Sequence, residues 1–130
     1  MTPIPESHRA ILDKRSFAHI ATVDSNGMPQ VTPVWIDHEG DYILVNSQRG
    51  RKKDRNLRQS ALVGLSIQDP DDPYRYLGIQ GRVVDITEEG AEAHIHKLSQ
   101  KYRGKPYGPL KPGDVRVIYK IEPLRVWTMG

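Results

Sequence analysis

The chain contains no cysteine, which excludes disulfides, thiolate metal sites and a cysteine nucleophile, and agrees with a reducing compartment. No apolar run approaches the roughly 20 residues that a bilayer-crossing helix needs. The opening Met1-Thr2-Pro3-Ile4-Pro5-Glu6 lacks the charged and apolar regions of a secretory leader. A soluble protein of the cytoplasm, with no membrane partner, is expected. Also missing are a Ser-His-Asp pattern, a pair of carboxylates with a reason to be close, and an HExxH-like metal spacing. His94 and His96 stand two apart on a predicted helix, so they face different ways and read as surface residues rather than metal ligands. Charge of one sign is scarce overall: 19 basic residues face 16 acidic ones for a formal charge of +3. That balance favours one local anion site over a general nucleic-acid surface.

Positive charge is instead concentrated. Six cations fall within the ten residues Arg49-Gly50-Arg51-Lys52-Lys53-Asp54-Arg55-Asn56-Leu57-Arg58, directly after the apolar strand candidate Tyr42-Ile43-Leu44-Val45. A strand running into a Gly-containing cationic turn is a place where a phosphate can be held. The plainer alternative is a solvated helix face.

The 130 residues make one domain, 1–130, near the size at which a shared dimer interface becomes valuable. Ser7 is positioned to cap a short helix through Lys14, and Phe17 to Val23 alternates as a strand. Asn26-Gly27 is a hairpin signal, with Gln30 to Ile36 returning. Pro33 cannot donate to a ladder and marks an edge or irregular position. Asp37 to Asp41 reads as a second hairpin turn. A short helix follows around Lys53 to Gln59. Ala61 to Ile67 is apolar enough for a strand buried on both faces. After the turn Asp69 to Pro73, Tyr74 to Ile86 forms a long strand in which Gly78 and Gly81 mark bends or close backbone approach. Thr87 starts a helix through about Lys101 with Ala91, Ile95 and Leu98 on one stripe. Val115 to Ile121 alternates as the last strand, extended by Arg125 to Thr128 past Pro123. Six strands with two or three short helices give a mainly β, α+β barrel. Tyr102 to Asp114, rich in Gly and Pro, reads as a connecting loop.

Taken in order, Asn26-Gly27-Met28-Pro29-Gln30-Val31-Thr32-Pro33-Val34-Trp35, Val45-Asn46-Ser47, Arg51-Lys52-Lys53-Asp54-Arg55-Asn56-Leu57-Arg58 and Gln68-Asp69-Pro70-Asp71-Asp72-Pro73-Tyr74-Arg75-Tyr76 resemble the flavin/deazaflavin oxidoreductases of the split β-barrel superfamily. That superfamily includes pyridoxamine 5′-phosphate oxidase, and the nearest resemblance is to its coenzyme F420-dependent group. The resemblance implies a six-stranded antiparallel FMN-binding-type split barrel and a homodimer with cofactor sites at the subunit interface. It implies a phosphate held by Arg51 and Lys53 with Lys52 and Asn56 adjoining. It places the ring against Thr32, Pro33, Val34 and Trp35 with Asn46 and Ser47, and brings Tyr74 and Tyr76 from the partner subunit. Planar Arg forks and mobile Lys charges suit phosphate oxygens. Periodicity alone reads Tyr74 and Tyr76 equally as cross-strand packing, and Trp35 equally as core.

The hard chemistry then belongs to the cofactor, with reduced deazaflavin donating hydride to a small organic substrate. A deazaflavin lacks the N5 through which FMN reacts readily with oxygen, so coenzyme F420 implies a reductase and FMN a possible oxidase. Spare cations such as Arg49, Arg55 and Arg58 favour the longer, carboxylate-ended F420 tail. No side chain is assigned as proton donor; Tyr76 is the first to test. Two other classes stay open: a basic barrel binding nucleic acid, with tyrosines stacking bases, and a non-catalytic cofactor carrier.

Overall fold

Alternation decides the sheet. The computed structural model describes residues 1–130. Its elements are a 3-10 turn at Glu6–Asp13, then β1 (Ala18–Val23), β2 (Pro29–Val34), β3 (Asp37–Glu39), β4 (Tyr42–Gln48), α1 (Lys52–Gln59), β5 (Leu62–Asp69), β6 (Asp72–Thr87), α2 (Ala91–Arg103) and β7 (Arg116–Met129). All seven strands join one sheet in the order β2-β1-β5-β6-β7-β4-β3, and every pairing is antiparallel. The sheet has one strand more than the sequence predicts. The supposed turn from Asp37 to Asp41 begins with a three-residue strand paired to β4.

β2 is a terminal strand of the sheet, where the missing N–H of Pro33 breaks no central ladder. In β6 and β7, register shifts at Gln80/Gly81 and Val83/Asp85 bend the long pair. Gly78 lies directly beneath the indole of Trp127, and a Cβ there would overlap the ring. Both glycine expectations are met. Side chains such as Ile20, Val45, Leu65, Ile79, Val117 and Ile121 point inward to form a continuous core of 19 buried residues. β5 departs from the two-sided burial expected of it: Val63, Leu65 and Ile67 are buried, but Leu62, Ser66 and Gln68 face outward. Leu62 is 61% exposed.

The N-terminal turn is 3-10 rather than α, and Ser7 does not cap it; the Ser7 hydroxyl instead meets His8 Nδ1 at 2.8 Å. α1 is eight residues long and carries one buried apolar side chain, Leu57, so helix propensity alone would not hold it. Buried polar groups do. Asp54, in the first turn, accepts the Gly50 N–H at 2.9 Å, the Tyr119 hydroxyl at 2.7 Å and Arg58 Nε at 3.0 Å. Asn56 donates to Thr22 Oγ1 at 3.0 Å. Gly50 turns the chain at φ +92°, which a side chain would resist. The cationic turn is therefore fixed to β1 and β7 from below.

Candidate functional site

Where the end of β2 meets β4, α1 and α2, the surface closes into a pocket of about 210 Å³. Pro33, Val34 and Trp35 form one side, Asn46 and Ser47 the floor, and Arg51 and Lys53 the rim. Ile95 and Leu98 of α2, Arg116 of β7 and Tyr107 of the loop complete it. Seven of the predicted site residues thus converge.

Of the six cations of the turn, three are paired, two are unpaired at the pocket, and Arg55 is unpaired away from it. Arg49 pairs with Glu88 at 2.5 Å, Lys52 with Asp24 at 3.6 Å and Arg58 with Asp54 at 3.0 Å. Arg51 and Lys53 have no carboxylate partner: Arg51 makes one side-chain bond, to Gln48 Oε1 at 3.2 Å. Burial holds the Lys53 ammonium below the usual lysine range, and the charges that add to this, Arg51 and Arg116, share its sign. Arg116, itself buried, is lowered in the same way by burial and by Arg51. Its Nε donates to Asn46 Oδ1 at 2.9 Å, and the Tyr107 ring lies 5.3 Å from its guanidinium carbon. The Asp114 carboxylate acts on Arg116 in the opposite sense, but it bonds Gln48 and pairs with none of the three cations. Three cations gathered without a salt-bridge partner suit a phosphate, and the residues present fit such a group.

The aromatic wall is equally fixed. Trp35 stacks on Tyr102 with centroids 5.3 Å apart and planes 8° from parallel, and Tyr107 meets it edge-on at 6.3 Å. The Tyr102 hydroxyl donates to Ser16 O at 2.5 Å and accepts the Ile36 N–H at 3.1 Å. Burial pushes the Tyr102 phenol up to about 12, so it stays protonated.

Behind the pocket runs a polar chain. Asn46 Nδ2 donates to Ala91 O at 2.9 Å and meets His94 Nδ1 at 3.1 Å, while His94 Nε2 meets Asp37 Oδ2 at 3.1 Å. Lys97 reaches the same carboxylate oxygen at 3.1 Å. Burial opposes charge on Asp37, but the bonds from His94, the His38 N–H and Lys97 outweigh it and hold the carboxyl well below the usual range.

Other predicted residues lie elsewhere. Thr32 does not line the pocket, and its hydroxyl is buried without a hydrogen-bond partner. Lys52 turns to Asp24, and Asn56 faces Thr22. Asn46 reaches the pocket, but its amide is committed to Ala91, His94 and Arg116. Tyr74 and Tyr76 line a separate hollow with Ser66, Gln68 and Met129. His94 corrects its surface reading: it is 8% exposed. The signal was present, since position 94 falls on the same helical stripe as Ala91, Ile95 and Leu98. Arg116 and Tyr107 carried none, being an outward position of an alternating strand and one residue of a Gly/Pro-rich loop. That loop does more than connect, because Tyr107 walls the pocket and its N–H donates to His96 Nδ1 at 3.1 Å.

The largest hollow, about 530 Å³, lies on the outer face of β1, β5 and β6, with Val23, Leu62 and Leu124 exposed around it. It has no converging set of charges, so it is not the candidate for phosphate binding. No helix is long and apolar enough to cross a membrane.

A family model described as pyridoxamine 5′-phosphate oxidase matches residues 4–130. A solved structure named F420 reductase is 34% identical, covers 95% of this chain and 98% of its own, and superposes with a TM-score of 0.83. General stress protein 26 from Bacillus anthracis, 21% identical, covers 95% and 92% with a TM-score of 0.73. A conserved hypothetical protein from Mycobacterium tuberculosis, 21% identical, covers 97% and 84% with a TM-score of 0.73. The last two share the fold alone. No curated protein sequence gave a match. With its split-barrel sheet and nearly the whole chain matched, the protein belongs to the pyridoxamine 5′-phosphate oxidase family of flavin-binding oxidoreductases.

Proposed function

We propose that the chain is an oxidoreductase that binds coenzyme F420 through the pocket of Arg51 and Lys53 and uses its reduced form to reduce a small organic substrate. The observation that carries this is the cation set of the pocket. Arg51 and Lys53 stand beside the Trp35 wall with no carboxylate partner, while three of the other four turn cations are paired. When bound, the deazaflavin ring supplies a hydride.

Each residue of this chain then has a physical task. Arg51 offers two donors in a plane to phosphate oxygens, and an anion beside Lys53 would offset the burial that disfavours its charge. Pro33 and Trp35 give an apolar surface for a planar ring, held in place by Tyr102. Tyr107 and Leu98 narrow the pocket against water. Choice of F420 over FMN is supported by the neighbour named F420 reductase, at 34% identity over 95% of this chain. The charge argument for a long anionic tail is narrower than the sequence suggests, since Arg49 and Arg58 are occupied and Arg55 alone remains. FMN is the second reading, favoured by the same phosphate-sized cluster.

A homodimer completes the account. Val23, Leu62 and Leu124 expose apolar surface around the 530 Å³ hollow, which a second copy would bury. Tyr74, 83% exposed, and Tyr76 are far enough in the fold from the pocket that they share no lining residue with it, and would serve the partner's site. Nucleic-acid binding is less well supported, because the paired Arg49, Lys52 and Arg58 leave no continuous basic track.

The test is turnover. Reduced F420 and reduced FMN are supplied without oxygen, together with a panel of enones, quinones and tetrapyrroles, and reoxidation is followed by absorbance. Faster reoxidation of F420 supports the proposal, and faster reoxidation of FMN supports the second reading. Tight binding with no turnover on any acceptor would make the protein a carrier.

A further inference from the structure

Arg116 poses a problem that the sequence did not raise. It is 6% exposed and carries a full charge, yet its one hydrogen bond is Nε to Asn46 Oδ1 at 2.9 Å. Its terminal nitrogens bond no protein atom and it lines the pocket with Arg51 and Lys53. A largely buried guanidinium with no paired carboxylate, whose terminal nitrogens open onto the pocket, is placed to be completed by a group bound there.

The hydrogen-bond directions around Asn46 are forced from both ends. Arg116 Nε can only donate, so the Asn46 atom it meets must be the oxygen. Ala91 O can only accept, so the atom it meets must be the amide nitrogen. The second hydrogen of that nitrogen then points at His94 Nδ1, which must accept it, and the imidazole carries its proton on Nε2 toward Asp37. No other assignment satisfies all four groups. A second proton on His94 would set an N–H against an N–H at Nδ1. Turning the Asn46 amide to relieve that clash would present its nitrogen to Arg116 Nε and its oxygen to Ala91 O.

We propose that Arg116 is a third anion ligand of the pocket, and that Asp37, His94 and Asn46 are positioning residues that hold it there only while His94 Nδ1 is unprotonated. The proposal rests on the pocket binding a phosphate-bearing ligand and adds a proton switch to it. The groups facing His94 are Asp37 on β3, Asn46 on β4 and Arg116 beyond it on β7, with Lys97 on its own helix sharing Asp37. Arg51 and Lys53 stand on the far side of Arg116, and Arg51 acts on Arg116 directly. Protonation of the ring therefore brings a new cation toward a cluster of three and removes the bond that anchors one of them.

The experiment measures dissociation constants for F420, FMN and inorganic pyrophosphate by tryptophan fluorescence between pH 5 and 8.5. It compares the wild-type chain with Arg116→Met, His94→Leu and His94→Asn. Asn at 94 keeps an acceptor for Asn46 but cannot be protonated. Expected at neutral pH is a loss of about 10- to 100-fold for Arg116→Met, the factor of one charge-assisted bond. His94→Leu should lose about tenfold, and His94→Asn should stay within about threefold of wild type. Across the pH range in which the imidazole takes its second proton, the wild-type affinity should fall relative to His94→Asn. Titration of the ligand itself is common to all variants and cancels in that ratio. Nitrogen-15 spectra of the ligand-free imidazole should show Nδ1 as the unprotonated atom. Unchanged affinity in Arg116→Met, parallel pH profiles for wild type and His94→Asn, or a proton on Nδ1 at neutral pH would each overturn the inference. Pyrophosphate binding that depends on Arg116, with neither cofactor bound, would sustain it while removing the F420 and FMN readings. Absence of any anion binding would overturn both.

Discussion

The pocket under Trp35 and the apolar hollow around Leu62 are unfinished in opposite ways. One gathers Arg51, Lys53 and Arg116 with no salt-bridge partner among them; the other leaves Val23, Leu62 and Leu124 in water. Neither arrangement benefits an isolated chain. Buried like charges oppose one another and exposed apolar surface forgoes the hydrophobic gain. Elsewhere the chain resolves its buried charge: Asp54 answers Gly50, Tyr119 and Arg58, and Asp69 answers Lys14 at 2.9 Å and Arg75 at 3.3 Å. The proposed ligand would answer the unresolved charge, and the proposed second copy would cover the unresolved apolar surface.

Breaking the charged region should give the largest effect. Replacing Arg51 and Lys53 together by Ala should weaken cofactor binding by at least about 100-fold, two charge-assisted bonds being lost, with the melting temperature held or raised. Calorimetric titration and a thermal melt check the two halves. Breaking the apolar region comes next. Leu62→Asp should convert a dimer to monomers at micromolar concentration, seen by sedimentation, because an unpaired carboxylate would have to be buried. A chain that is already monomeric before substitution would contradict the dimer.

Asp54→Ala should cost about 3 kcal/mol in denaturant unfolding, since the Gly50 N–H and Tyr119 hydroxyl lose their shared acceptor. The smallest effect sharpens the contrast. Lys53→Met should raise the melting point of the ligand-free protein by about 2–4 °C, exchanging a charge that burial disfavours for an apolar chain of similar length. A pH dependence follows from Asp37 and Asp54, both held below the usual carboxylate range. Their contribution is complete above the unfolded value of about 3.9 and is lost as pH falls through the lower folded values. Stability from these groups should therefore be flat from neutrality to about pH 5 and decline below about pH 4. Asp37→Asn and Asp54→Asn should each flatten that decline.

Much of this was legible beforehand, because period-2 patterning and turn chemistry are local. Asn26-Gly27 fixes a hairpin, Pro33 an edge, and Ala91, Ile95 and Leu98 a buried stripe. The turn from Arg49 to Arg58 announces its charge but not its division, since pairing with Glu88, Asp24 or Asp54 depends on tertiary approach. β3 was hidden because three residues cannot show a period. β5 carries Leu62 beside Ser66 and Gln68 on its outer face, so its apolar run is buried on one side only. Arg116 and Tyr107 join the site only through strand pairing and loop placement, and nothing in their local sequence distinguishes them.

The most direct measurement titrates the ligand-free protein with F420 and FMN side by side, following the Trp35 fluorescence in a Trp127→Phe background. Saturable quenching with one cofactor per chain, tighter for F420 and abolished by Arg51→Ala with Lys53→Ala, is the predicted result. Binding that survives loss of both cations would contradict the phosphate site, and binding of neither cofactor would contradict the function.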